Sequence, residues 1–205
     1  WALFTKSTFA SGVESTIAKD SSPLGVTSSF QFWDPYPISV VSAKGAWMTD
    51  VDGRQLLDLS MGFGAMLAGH LNEEVIAETK AALDGGTLFV TPSPISRDGA
   101  ERLCKRFEID KVRFANSGTE ATMYAVRTAK AYNGKSAIVK LEGGYHGSYD
   151  PLTVSAKPDL DKAGNPEEPN SVVGHGINVG VVFVVPFNNL PALEKVFARD
   201  HESIS

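Results

Sequence analysis

Two short loops hold the side chains best suited to chemistry. The first, Asn116-Ser117-Gly118-Thr119-Glu120-Ala121, stands between a strand-like run at residues 111–115 and a long helical pattern. A glycine turn that opens a helix points backbone N–H groups outward at the positive end of the helix dipole, which suits a phosphate. Gly118 lowers helix propensity by about 1 kcal/mol relative to alanine, which makes sense where something approaches the backbone closely. Thr119 adds a hydroxyl donor on the same side. The same residues also read as a plain helix cap. Ser117 and Glu120 have the Ser-x-x-Glu spacing of a capping box, with Glu120 reaching back to the N–H of Ser117. The second loop, Glu142-Gly143-Gly144-Tyr145-His146-Gly147, follows a strand-like run at residues 137–141. Its glycines leave room beside the backbone, and Tyr145 offers an aromatic plate for a flat ring. The plainer alternative is a glycine turn with two surface side chains. A phosphate cradle together with an aromatic plate fits a phosphorylated heteroaromatic cofactor.

Such loops share a crevice when both sit at strand ends of one open α/β sheet. The flanking pattern predicts such a sheet. Val75, Ile76, Thr79 and Leu83, stopped by Gly85-Gly86, predict an amphipathic helix starting near Asn72. Pro94–Phe107 predicts a second, with Ile95, Ala100, Leu103, Cys104 and Phe107 inward. A third runs from Gly118 to about Tyr132 and ends at Asn133-Gly134. Its Ala121, Ala125 and Ala129 form a small-residue stripe for close packing on the sheet. Residues 181–185 are apolar and β-branched, as in a strand covered on both faces. Residues 190–197 predict a last helix. Lys140 lies on the strand before the second loop and reads as a solvated or edge residue. Residues 155–180, rich in Pro, Gly, Asp and Asn, read as a long surface excursion. Near the N-terminus, residues 1–37 are irregular. Residues 38–41, 46–51 and 55–59 predict strands turning at Ala43-Lys44-Gly45 and Asp52-Gly53. Helices alternate with strands from residue 72 on, so the expected fold class is α/β on a mainly parallel sheet.

Composition narrows the function classes. The chain has 205 residues, 42% hydrophobic and 21% charged, as in ordinary globular proteins. A net charge of -5 gives no basic footprint for nucleic acid or an anionic membrane. No apolar run approaches the roughly 20 residues of a membrane span, and no signal-peptide pattern opens the chain. The single cysteine, Cys104, excludes an internal disulfide and fits a reducing, cytoplasmic setting. It reads as a small buried hydrophobe. The chain opens on Trp1 and stops at Ser205 just after a helix, as expected of a segment of something longer.

Asn-Ser-Gly-Thr-Glu-Ala, followed one helix and one strand later by Glu-Gly-x-Tyr-His-Gly, resembles the class III pyridoxal-phosphate aminotransferases. These include glutamate-1-semialdehyde aminomutase and the ω- and β-amino acid transaminases. Lys44 to Gly53 resembles the family's N-terminal hairpin, and Gly69-His70 with Glu74-Val75 its first large-domain helix. The resemblance implies the N-terminal part of a fold-type I transferase: residues 1–63 as an N-terminal segment with hairpin, and residues 64–205 as the first half of the cofactor-binding large domain. It implies pyridoxal 5'-phosphate as cofactor, with Ser117, Gly118 and Thr119 at its phosphate and Tyr145 stacked on its ring. His146 is either a cofactor neighbour or a residue that orients the loop. Phe63 matches a position lining the substrate pocket. Thr87-Leu88-Phe89 resembles a segment that reaches the partner subunit's active site, and the family implies a homodimer.

The implied reaction moves an amino group between an amine or amino acid and a keto acid. An aminomutase or racemase on the same scaffold is the alternative, and a catalytically incomplete fragment a third. None of the twelve lysines stands in the context of the family's Schiff-base lysine, which lies C-terminal to these motifs. No catalytic residue is therefore assigned. In the aminomutase an arginine of the N-terminal segment grips the substrate carboxylate, and Gln31 takes its place here. A bidentate clamp is lost with it. Phe63 stands where the aminomutase has Trp. Both differences favour an aminotransferase.

Overall fold

Turn chemistry shapes the N-terminal part of the computed structural model, which describes residues 17–158, 161 and 180–205. Most of the excursion expected at residues 155–180, and the first part of the irregular N-terminal stretch, lie outside the described residues. Three strands, β1 (Val40–Lys44), β2 (Trp47–Asp50) and β3 (Gln55–Leu57), form an antiparallel meander in that order. Gly53 at φ +80 turns the chain between β2 and β3. Asp50 closes that turn from inside. Its carboxylate, only 1% exposed, accepts from the N–H groups of Asp52 and Arg54 at 3.0 and 2.8 Å and from the Arg54 Nε at 2.7 Å.

A second carboxylate organises the glycine-rich loop that follows. Asp58 accepts from the Ser60 and Met61 N–H groups at 2.9 and 2.8 Å and pairs with His70 Nε2 at 2.7 Å. The far end of the loop is tied to the meander. His70 and Gly45 exchange backbone hydrogen bonds at 2.8 and 2.9 Å. A Cβ on Gly69 would lie 3.3 Å from the Gly45 backbone, so the two segments meet where neither carries a side chain. Helix α1 (Glu73–Leu83) then starts on an Asn72 cap, whose side chain accepts from the Val75 N–H at 3.0 Å.

The chain divides into two compact units between Ser93 and Pro94. The second begins with α2 (Pro94–Phe107) and α3 (Gly118–Asn133). Gly134, left-handed at φ +70, ends α3 as its sequence predicts. After α3 come β4 (Ile138–Leu141), the single turn α4 (Asp150–Thr153), β5 (Val182–Val185) and α5 (Leu190–Asp200). β4 and β5 pair in parallel, Ile138 opposite Val182 and Leu141 opposite Val185. Ala137 also bridges Ile204 in parallel. The core gathers here. Ala137, Val185, Ala192, Val196 and Ile204 are buried together, with Val139, Phe183 and Leu193 packed against them.

Several expectations need correction. Residues 111–115 form no ladder, because no described strand offers partners for their N–H and C=O groups. Ala121 and Ala125 of the small-residue stripe are exposed, and they line an open groove with Arg113, Tyr124 and Thr128. No described sheet face covers that side of α3. On α2, Ile95 and Phe107 are 69% and 64% exposed, and Cys104 is half-buried rather than buried. Val184 and Val185 are buried as expected of a covered strand, whereas Val181 is 48% exposed. No helix among the described residues is long and apolar enough to cross a membrane.

Candidate functional site

The cap of α3 forms as its spacing predicts, with one change of partner. Ser117 is extended (φ -150, ψ 161), and its Oγ accepts from the Glu120 N–H at 3.2 Å. Glu120 reaches back one residue further than expected. Its carboxylate accepts from the N–H of Asn116, not Ser117, at 2.6 Å. The return bond therefore closes around the whole Ser-Gly-Thr run. The N–H groups of Gly118 and Thr119 have no acceptor among the described residues, so they point out of the helix start at its positive end. A Cβ built on Gly118 meets nothing within 4 Å, and its φ is not left-handed. Neither internal crowding nor backbone conformation accounts for a glycine there. The open space beside two outward N–H groups does, if an anion occupies it.

The second loop is fastened to the first. The Ser148 N–H donates to Thr119 Oγ1 at 3.1 Å, and Thr122 Oγ1 donates to the His146 carbonyl at 2.8 Å. Thr119 accepts in this bond, which leaves its hydroxyl hydrogen for a ligand. Gly147 marks the point of contact: at φ +89, a Cβ there would fall 2.4 Å from Thr119 Oγ1 and 2.7 Å from its Cα. Only glycine permits that approach. The structure thus brings Ser117, Gly118 and Thr119 together with the loop of Tyr145 and His146. Tyr145 is 59% exposed. His146 is half-buried, and a Cβ on Gly144 would lie 2.8 Å from its Nε2, so its ring folds back over the loop's own backbone.

Lys140 departs most from expectation. Its side chain is buried, at 4% exposure, instead of solvated. The Nζ donates to the Gly144 carbonyl at 3.1 Å and also to the Val154 carbonyl. Burial pushes the ammonium below the ordinary lysine range. A lysine on a strand of otherwise apolar residues carries no signal in sequence for this, because its acceptors belong to the next loop and turn. Thr122 and Ser148 were missed for the same reason.

Phe63 and Gln31 belong to the other compact unit. Phe63 sits at φ +56 in the loop that Asp58 organises, 81% exposed, with its ring edge-on to Phe30 at 5.6 Å. Gln31 follows Phe30 in a short 3₁₀ turn, and its Oε1 accepts from the Thr27 N–H and Oγ1 at 3.2 and 2.9 Å. Phe63 and the Gln31 segment therefore share one patch of the first unit. The Asp58 carboxyl is held below the usual carboxylate range by the His70 hydrogen bond and the Met61 N–H. Among the described residues, no cluster of three or more His, Cys, Asp or Glu side chains forms a metal site.

The family model for class-III aminotransferases matches residues 31–182. A glutamate-1-semialdehyde 2,1-aminomutase of Methanocorpusculum labreanum is 37% identical over 191 residues, covering 91% of this chain. Among solved structures, an omega-transaminase from Sphaerobacter thermophilus superposes with a TM-score of 0.88 at 29% identity over 97% of this chain. A transaminase solved with PLP bound superposes at 0.85 with 34% identity over 94%. The chain spans 45% of that aminomutase's length and 46% and 45% of those two structures.

Proposed function

The chain belongs to the class-III aminotransferase family, and on that footing we propose that it carries the cofactor-holding portion of a pyridoxal-phosphate-dependent aminotransferase. The two fastened loops support this reading most directly: one carries outward N–H groups and a spare hydroxyl hydrogen, and the other, tied to it, carries an exposed tyrosine. The residues present fit the group. The Gly118 and Thr119 N–H groups and the Thr119 hydroxyl would donate to its phosphate, reinforced by the α3 dipole. Gly118 leaves space for the phosphate oxygens to reach the backbone. Tyr145 would face the ring, and His146 would orient the loop that carries it. When bound, pyridoxal phosphate supplies the electron sink that lets an amino group leave one carbon skeleton for another. Lys140 is excluded as the covalent partner, because its ammonium is already taken by two carbonyls.

Phe63 and Gln31 are assigned to substrate selection. Phe63 presents an apolar wall. Gln31 offers an amide where a carboxylate clamp would need a guanidinium. This favours an amine or amino acid donor with a keto-acid acceptor. An aminomutase is the second reading, favoured by the name and 37% identity of the Methanocorpusculum labreanum relative. The parallel-sheet unit is read as part of the large domain. Dimerisation and a cytoplasmic location go with the aminotransferase reading.

The test uses the full-length protein. Purified and loaded with pyridoxal phosphate, it should move amino groups from amines or amino acids to pyruvate or 2-oxoglutarate. Isomerisation of a substrate with no external acceptor would establish the aminomutase instead. Thr119→Val should weaken cofactor binding by about tenfold or more, the effect of losing a hydrogen bond to a charged group. Unchanged affinity in that variant would remove the phosphate site from α3.

A further inference from the structure

Lys140 is a buried cation that the proposed chemistry does not use, and the position of its acceptors gives it a task. The Gly144 carbonyl that it binds belongs to the same rigid peptide plane as the Tyr145 N–H and Cα. Its other acceptor, the Val154 carbonyl, lies in the turn after α4. That turn is firm ground. Val154 and Ser155 are 2% and 0% exposed, and the Ser155 carbonyl accepts from the Gly143 N–H at 2.8 Å. On the other side of the tyrosine, Thr122 holds the carbonyl of the His146–Gly147 peptide. Tyr145 and His146 therefore lie between two clamped peptide planes. The clamps matter because Gly143, at φ +70, and Gly144 would otherwise give this loop wide conformational freedom.

We infer that Lys140 is a positioning residue for the cofactor ring: by fixing the Gly144–Tyr145 peptide to the turn at Val154, it presets the plane that Tyr145 offers. The inference rests on the reading of Tyr145 as the ring-facing residue. The buried ammonium gives a stronger bond to a carbonyl than a neutral donor would. It also ties the loop after β4 to the turn at Val154, next to the bond from the Gly143 N–H to the Ser155 carbonyl.

Three variants of the full-length protein separate this inference from its premise. Lys140→Met should raise the dissociation constant for pyridoxal phosphate about tenfold or more and diminish the induced circular dichroism of the bound cofactor. Lys140→Gln, which keeps a donor, should recover part of both. Tyr145→Leu should weaken binding whatever Lys140 does. Wild-type affinity and dichroism in a Lys140→Met protein that merely melts earlier would overturn the inference, leaving the lysine a packing element. If Tyr145→Leu binds cofactor normally, the premise itself fails. The native protein gives a readout that needs no variant. Under trace acetylation, Lys140 should react far more slowly than Lys44, whose side chain is 77% exposed. Equal rates would show that the clamp does not exist in solution.

Discussion

Gly118 separates stability from ligand binding at a single position. Its Cβ would meet open space. Gly118→Ala should therefore leave the melting temperature of cofactor-free protein unchanged or raise stability by up to about 1 kcal/mol, the ordinary helix-propensity difference. Its affinity for pyridoxal phosphate should nevertheless fall, because the methyl occupies the phosphate's approach. Loss of stability in parallel with affinity would argue against an open cradle. Ser117 behaves in the opposite way. Its Oγ caps α3, so Ser117→Ala should cost about 1 kcal/mol in denaturant unfolding without any ligand present. Much of this was legible in the sequence, since a cap and a glycine at a helix start depend only on near neighbours. The shift of Glu120 from Ser117 to Asn116 was not. Which N–H meets the carboxylate is decided by the path of the loop, which the residue types alone do not fix.

Among the elements, local signals were reliable wherever the chain satisfies itself. The Asn72 and Ser117 caps, the Gly134 stop and the Gly53 turn all stand where their residue types place them. The misses lie where an element needs a neighbour distant in sequence. The run at residues 111–115 has strand residues but no ladder, and the alanine stripe of α3 has the right period but no sheet against it. Lys140 reads as polar along a strand, yet it is buried by a loop and a turn that bring two carbonyls to it. Gly147 is the element-scale joint between the two loops. Gly147→Ala combines a left-handed backbone with an approach of 2.4 Å to Thr119 Oγ1. The expected destabilisation is about 1–3 kcal/mol, the usual range for strained backbone and overpacking. Amide exchange at Ser148 should accelerate in the same variant, because its bond to Thr119 must break to make room. An unperturbed Ser148 amide would show that the loops are not in contact.

On the scale of the whole molecule, the two units are held by different forces. Apart from Pro37, every buried apolar residue among the described ones lies at Ala137 or after it, whereas the buried groups of the first unit include Asp50 and Asp58. Amides of β4, β5 and α5 should thus be the slowest to exchange, and those of β1 to α1 should open first. Acid should widen that difference. For Asp50, burial pushes the carboxyl upward, but the Arg54 N–H and guanidinium outweigh it, and the net direction is down. Asp58 is lowered chiefly by His70. With both folded values depressed, the unfolded chain binds protons first. This stabilisation is present above roughly pH 4 and is lost as pH falls through the folded values. Exchange measured by segment down a pH series should show residues 40–70 losing protection before residues 137–141 and 182–204, and Asp58→Asn should blunt the trend. Simultaneous loss in both segments would count against separate holding forces.

The contact of Gly147 with Thr119 also bears on how such a protein can change over generations. A side chain gained at residue 147 would meet the Thr119 Cα at 2.7 Å, which no substitution at residue 119 removes, so the joint keeps its glycine whatever its partner becomes. Drift, or a laboratory library built one codon at a time, is channelled away from this joint. Variation should accumulate instead on surfaces such as the Phe30–Phe63 patch, where each ring has open space to one side.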